Sequence, residues 1–299
     1  MQPQRILVTG ASGLLGSAVA ACLQRSAAIL PLAHAHPAPG LTPLDLADPR
    51  EAARLEREPW DALVHCAAYR SPEFCEDHKE AAWRLNAETP EFLARLACRR
   101  GARMVHISTD YVFPGTHPPY REGDACEPVN DYGRTKLAGE QGVSRAYPAA
   151  VILRIGALYG RLAGAARSPM LEEAVQAVRE AREMESDDCV RRYPLFVEDV
   201  AKVVRFLLFE NAFSGVLHAG ASQGMTRYGW MQRVAAVLGV KAAHIKPSVR
   251  SLYRSPRPVD AGLCTDRLRE LGGPVPRNCD EVLPDVLAER RMQTNQNGA

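Results

Sequence analysis

Five short apolar runs punctuate the first half of the chain: RILVTG from Arg5, AAILPLAH from Ala27, DALVHCAA from Asp61, ARMVHIST from Ala102 and AAVILRIG from Ala149. Each is short enough for a strand, apolar on consecutive positions, and separated from the next by helical spacing. That is the pattern of strands buried on both faces of a parallel sheet built from βαβ units. Between the third and fourth runs, HKEAAWRLNAETPEFLARLACRRG keeps helical spacing and stops at Gly101. The expected fold is α/β, a doubly wound, Rossmann-like parallel sheet.

After residue 160 the rhythm changes. A polar stretch, GRLAGAARSP, leads into a charged helix over MLEEAVQAVREAREME, and a Pro-rich segment, KPSVRSLYRSPRPVDAG, follows later. The helix VEDVAKVVRFLLFE and the strand GVLHAG fit the first lobe better. The expected division is therefore interleaved: a dinucleotide-binding domain over 1–160 plus about 195–220, and a smaller substrate lobe over about 161–194 plus 221–290. Residues 291–299 read as a disordered tail. Trp60, Trp83 and Trp230 lie inside these patterns and read as packing residues.

Composition narrows the partners. With 46% hydrophobic residues, 299 residues can bury one large core or two smaller ones. A net charge of +2 gives no basic stripe for nucleic acid. No apolar run nears the roughly 20 residues that cross a bilayer, and no signal sequence precedes the first strand, so a cytoplasmic protein is expected. The eight cysteines form no CxxC pair and no His cluster has metal spacing, so reduced thiols and no metal are expected.

Chemistry enters with ILVTGASGLLGSAVAACL, a strand, a turn and a helix with Gly10, Gly13 and Gly16 at TGxxGxxG spacing. The first glycine permits the turn, the second lets backbone approach a pyrophosphate, and the third lets helix and strand pack closely. Ser12, Leu14 and Leu15 complete the turn. At the end of the second run, PLAHAHPAPG offers no acid for a ribose 2′-hydroxyl, which favours NADP(H) with NAD(H) as the alternative. His34 and His36 are candidate phosphate neighbours. Asp45, Leu46 and Cys66, Ala67, Ala68 and Tyr69 belong to loops at strand ends beside the adenine and ribose, although Asp45 can equally cap a helix.

Tyr132 and Lys136 in DYGRTK stand one helical turn apart, on one face. An ammonium beside a phenol favours the phenolate and makes it a usable acid-base group. Lys136 can also reach a nicotinamide ribose. Thr109, at the end of the fourth run, supplies a hydroxyl to the same substrate oxygen. Arg191, Arg192 and Arg257 are candidates for a sugar diphosphate, since guanidinium pairs with phosphate in a fork.

Through TGASGLLG, HCAA, RLNAET, STDYVFPG and YGRTK the chain resembles the extended short-chain dehydrogenase/reductase family. STDYVFPG with YGRTKLAGE resembles its dTDP-4-dehydrorhamnose reductase branch, and the chain is also similar to the methionine adenosyltransferase beta regulatory subunit. The resemblance implies Thr109, Tyr132 and Lys136 as the catalytic trio. It implies a cofactor site that also takes in Asn86, Ser108 and Ile155, and a substrate loop of Asp110, Tyr111, Val112 and Phe113. It further implies a nucleotide-sugar substrate and either a homodimer or, in the regulatory alternative, a methionine adenosyltransferase catalytic subunit as partner. Epimerases and dehydratases of nucleotide sugars share the Tyr and Lys. One departure is RIGALYG, where Ala157 replaces the tryptophan expected against the sugar.

Overall fold

The computed structural model describes residues 2–34, 36, 38–160, 168–180 and 182–296, with side chains to residue 288. Along the chain come β1 (Arg5–Thr9), α1 (Leu14–Leu23), β2 (Ala28–Ala33), β3 (Thr42–Pro43) and α2 (Pro49–Ala52). Then follow β4 (Ala62–His65), α3 (Pro72–Asp77), α4 (Lys79–Trp83), α5 (Thr89–Arg100), β5 (Arg103–Thr109), α6 (Asp131–Ala146) and β6 (Val151–Ile155). Next are β7 (Leu158–Tyr159), α7 (Pro169–Arg179), β8 (Met184–Asp187), β9 (Leu195–Phe196) and α8 (Val197–Phe209). The chain closes with β10 (Gly215–Ala219), α9 (Arg227–Leu238), β11 (Ile245–Ser248), α10 (Asp266–Glu270) and α11 (Cys279–Gln296).

Seven parallel strands make one sheet in the order β10-β6-β5-β4-β1-β2-β3. All five apolar runs are in it, and both faces are covered. Ile6, Val8, Val64, Val105 and Ile107 share a core with α1 and α8, while Leu7, Leu63, Met104 and Ile152 share another with α5 and α6. The strand order reverses between β1 and β4, and the crevice at the carboxyl ends of strands beside such a reversal is where this architecture takes ligands. A separate core joins Leu171, Val175 and Val178 of α7 to Trp230, Met231 and Val234 of α9 and to Val282, Leu283 and Val286 of α11.

Some sequence expectations change. The helix expected over 170–185 ends at Arg179, and Met184–Asp187 pairs with Ile245–Ser248 as β8 and β11. A pairing across 60 residues of chain leaves no local trace in a charged segment. The helix expected over 78–101 runs from Lys79 to Arg100 with one wide turn at Arg84–Glu88 and ends, as its Gly101 requires, in a left-handed residue at φ +63°. Trp83 on α4 is 47% exposed instead of packed, whereas Trp60 and Trp230 are buried. At the C-terminus helical backbone continues to Gln296, into the segment expected as tail, and residues 297–299 lie outside the described residues. Most of the polar stretch 160–169 does too. Among the described residues no helix is long and apolar enough to cross a membrane, and no His, Cys, Asp and Glu cluster could hold a metal.

Candidate active site

The phosphate turn has its geometry from its glycines. Gly10 turns the chain at φ +65°, and a Cβ there would stand 2.9 Å from Ala67 N. A Cβ on Gly16 would stand 2.1 Å from Gly10 O, so α1 can descend onto the turn only with glycine at that position. Gly13 is the residue before α1, no side chain caps the helix and its first turn holds no acid, leaving an end suited to an anion. Ser12 is half-buried on the same turn, Leu15 is buried beneath it, and Leu14 is half-buried. Gly16→Ala is expected to cost about 1–3 kcal/mol of stability as an overpacked contact. NADPH affinity, read by fluorescence titration beside a melting curve, should fall about tenfold or more as the turn is displaced.

At the far end of the crevice the His34 Nε2 lies 3.8 Å from Asp45 Oδ2. Asp45 also accepts the Ala47 N–H at 2.9 Å, but the cap of α2 is Asp48, which accepts the Arg50 N–H at 2.8 Å. The Leu46 side chain is buried in the core beneath α5, and its carbonyl accepts the Thr89 hydroxyl. His36 is exposed. On the wall, Thr9 Oγ1 accepts the N–H groups of Cys66 and Ala67, each at 3.1 Å, which fixes the loop that continues through Ala68 to Tyr69. Burial pushes the Cys66 thiol up to about 12, so it stays a thiol. Asn86, on the wide turn, accepts the Tyr69 N–H at 2.9 Å and donates to Tyr69 O at 2.8 Å and to Thr135 Oγ1 at 3.1 Å. It thereby ties the wall to α6.

β5 delivers Thr109 to the carboxyl end of the sheet, and Asn130 starts α6 by accepting the Gly133 N–H at 2.8 Å. The Thr109 hydroxyl donates to Asp110 Oδ1 at 3.0 Å and accepts the Tyr111 N–H. Tyr132 meets Tyr111 edge-on, with ring centres 5.3 Å apart. Burial pushes the Tyr132 phenol up, a hydrogen bond with Thr109 only partly opposing it, and pushes the Asp110 carboxyl up to about 6 against the pull of Arg192. The expected ammonium-phenol contact is not made. Lys136 Nζ donates to Ile107 O at 2.8 Å and lies 3.4 Å from His106 Nε2. A shared helix face fixes where the two stems start, and the Ile107 carbonyl of β5 fixes where the ammonium ends.

The remaining candidates divide. Arg192 lies over the Tyr111 ring, 4.9 Å from its centre; its Nη1 donates to Arg191 O and Pro258 O, while its Nη2 is buried without a hydrogen-bond partner. Such a donor suits a ligand oxygen. Arg191 is exposed and donates to Gly224 O. Arg257 pairs with Glu73 at 2.5 Å and lies 4.8 Å from the Tyr253 ring centre, bridging the late Pro-rich segment to α3, with its charge in reach of Tyr111. Val112 and Phe113 are fully buried, Phe113 stacked on Tyr120 at 4.3 Å, so of the expected substrate loop Asp110 and Tyr111 stand beside the trio. Ile155 lies in the core, and the Ser108 hydroxyl donates to Glu140 instead of facing the crevice.

Sequence reading missed the groups behind the trio. Glu140 and Arg154 form a buried ion pair at 2.7 Å, and His65 and His106 are buried side by side in β4 and β5. The available signals were a charge one turn after Lys136 and a histidine ending each of two apolar runs.

The family profile described as RmlD substrate binding domain matches residues 4–292. Methionine adenosyltransferase 2 subunit beta of Bos taurus is 35% identical over 280 residues, covering 90% of this chain and 83% of that protein. A probable dTDP-4,6-dihydroxy-2-methyloxan-3-one 4-ketoreductase of Streptomyces antibioticus is 34% identical over 308 residues, covering 99% and 100%. The crystal structure of dTDP-4-dehydrorhamnose reductase from Bacillus anthracis in complex with NADP shares the fold, with a TM-score of 0.84 and 24% identity, covering 97% of this chain and 99% of that one.

Proposed function

As the chain belongs to the RmlD substrate-binding domain family, we propose that it is an NADPH-dependent reductase of a keto group on a nucleotide-linked deoxy sugar. The observation that supports this reading is Tyr132 beside Thr109, one helical turn from the buried Lys136, in a fold whose first helix opens uncapped after a glycine turn. The start of α1 supports a dinucleotide there, because Gly13 precedes it, no side chain caps it and no acid stands in its first turn. The absence of an acid over residues 31–40 suits a 2′-phosphate. Gly10 to Leu15 would hold the pyrophosphate, His34 the 2′-phosphate, Asp45 the adenosine side, Ala67 to Tyr69 the wall, and Lys136 the nicotinamide ribose. When bound, NADPH supplies the hydride.

Tyr132 supplies the proton. A phenol held neutral by burial is in the protonation state that reduction needs, since it gives its proton to the oxygen on which negative charge develops. Thr109, whose hydroxyl donates to Asp110 in this structure, would turn that proton to the same oxygen, and the unpartnered Arg192 Nη2 takes a further substrate oxygen or phosphate. The test is consumption of NADPH by purified protein with dTDP-4-dehydrorhamnose, read as loss of absorbance; turnover is expected, and none with any 4-keto-6-deoxy nucleotide sugar overturns the reading.

A second reading has its own support. The 35% identity to methionine adenosyltransferase 2 subunit beta, together with Ala157 in RIGALYG, favours a cofactor-binding subunit that docks on a catalytic partner. Co-elution with a methionine adenosyltransferase catalytic subunit, with no keto-sugar turnover, would replace the first reading by this one.

A further inference from the structure

We propose that a row of buried side chains crossing the sheet, Thr9, His65 and His106, positions Lys136 and keeps it charged, with His106 the positioning residue in contact. The inference rests on the reading of Lys136 as a cofactor-binding group, and it concerns residues that the proposed chemistry leaves unused.

The row follows from strand register. Thr9 is the partner of His65 across β1 and β4, and His65 is the partner of His106 across β4 and β5. Partners in adjacent parallel strands point to the same face of the sheet, here the face covered by α5 and α6. The two imidazoles are 1% and 0% exposed and stack at 5.3 Å, with 18° between their planes.

Proton positions along the row are set by donors and acceptors. Thr9 Oγ1 already accepts the N–H groups of Cys66 and Ala67, so its own proton goes to His65 Nδ1, 2.8 Å away. The His65 ring proton is then on Nε2. An ammonium can only donate, so His106 Nε2 accepts from Lys136 and the His106 ring proton is on Nδ1. Those two ring N–H groups are the nitrogens of the row left buried without a partner. Both rings are neutral: burial takes His65 down to about 3, and burial together with the Lys136 charge holds His106 well below the usual histidine range.

The use of such a row lies in the cost of burying a lysine. Burial pulls Lys136, which is 2% exposed, down to about 8, close to the range in which it would lose its charge. Facing it are Glu140 on its own helix, His106 on β5, Cys66 after β4 and, behind His106, His65. Glu140 is itself held by Arg154, whereas Ile107 O and His106 Nε2 are neutral acceptors that bond the ammonium directly. A hydrogen bond made to the charged form favours that form. Because Thr9 also carries the N–H groups of Cys66 and Ala67, one row fastens both the cofactor wall and the lysine.

The chain has five lysines, so Lys136 can be followed by its side-chain carbon resonance in the full-length protein, assigned with Lys136→Met. In the protein without cofactor, His106→Leu should lower the pH at which Lys136 titrates by about one unit, a tenfold loss of proton affinity. His106→Gln, which restores an acceptor, should recover most of it. An unchanged Lys136 titration in a folded His106→Leu protein overturns the proposal. Nitrogen-detected histidine spectra of the wild type decide independently of any variant: His106 with its proton on Nδ1 supports the row, and on Nε2 overturns it. NADPH affinity should fall above the Lys136 titration and at lower pH in His106→Leu. Failure of the wild type to bind NADPH would overturn the cofactor reading alone, because the titration and the tautomer are read without cofactor.

Discussion

The Tyr132→Phe protein is expected to lose about 10²- to 10⁴-fold of its keto-sugar turnover while binding NADPH as the wild type does. The substitution removes one oxygen and leaves the ring that meets Tyr111 edge-on, so packing around α6 is kept. What is lost is the proton donor. In the other direction, oxidation of an alcohol, the same residue must first become a phenolate, and burial opposes that. The Lys136 ammonium does not offset burial here, since it bonds Ile107 O. Reduction should therefore show no loss from Tyr132 ionisation between pH 6 and 9, whereas oxidation should rise with pH across that window. Steady-state rates in both directions, with single-turnover NADPH consumption for the variant, check the prediction. Full turnover by Tyr132→Phe would remove the phenol from the mechanism.

The sheet was legible in the sequence because its strands are buried on both faces and therefore read as continuous apolar runs. The phosphate turn was legible because glycine has no substitute where a Cβ would stand 2.1 Å from a carbonyl oxygen. What could not be read was decided by contacts between distant segments. Met184–Asp187 is charged and helix-like by itself, and becomes a strand because Ile245–Ser248 lies alongside. Val112 and Phe113 follow Asp110 and Tyr111 in one motif, but Tyr120 takes the Phe113 ring out of the crevice. Spacing put Tyr132 and Lys136 on one helix face and said nothing about a four-carbon stem that reaches β5. Arg257 read as a phosphate ligand from its charge, and Glu73, 184 residues earlier, holds it.

Glu140→Ala is expected to cost about 3–5 kcal/mol, the largest loss of stability of any substitution considered near the site. Arg154 is 4% exposed and bonds both Glu140 oxygens, Nε at 3.0 and 3.2 Å and Nη2 at 2.7 Å. Removing the carboxylate leaves a buried guanidinium charge whose remaining hydrogen-bond partners are a thiol, a carbonyl and a neutral imidazole, at Cys126, Glu122 and His218. A melting temperature lower by roughly 6–15 °C follows, taking about 2–3 °C per kcal/mol for a chain of this size. Replacing both partners, as Glu140→Leu with Arg154→Met, removes the stranded charge and should restore most of the stability. Activity should not return with it. Arg154 also lies over the Phe113 ring at 5.1 Å, and His218 holds Tyr120 O at 3.2 Å, so the pair fastens the segment that follows Asp110 and Tyr111. Glu140 in addition receives the Ser108 hydroxyl next to Thr109 and supports the Lys136 charge from one turn away. A double variant that melts near the wild type but turns over at least tenfold more slowly would mark the ion pair as support for the trio. One that recovers both would reduce it to a means of satisfying two buried charges.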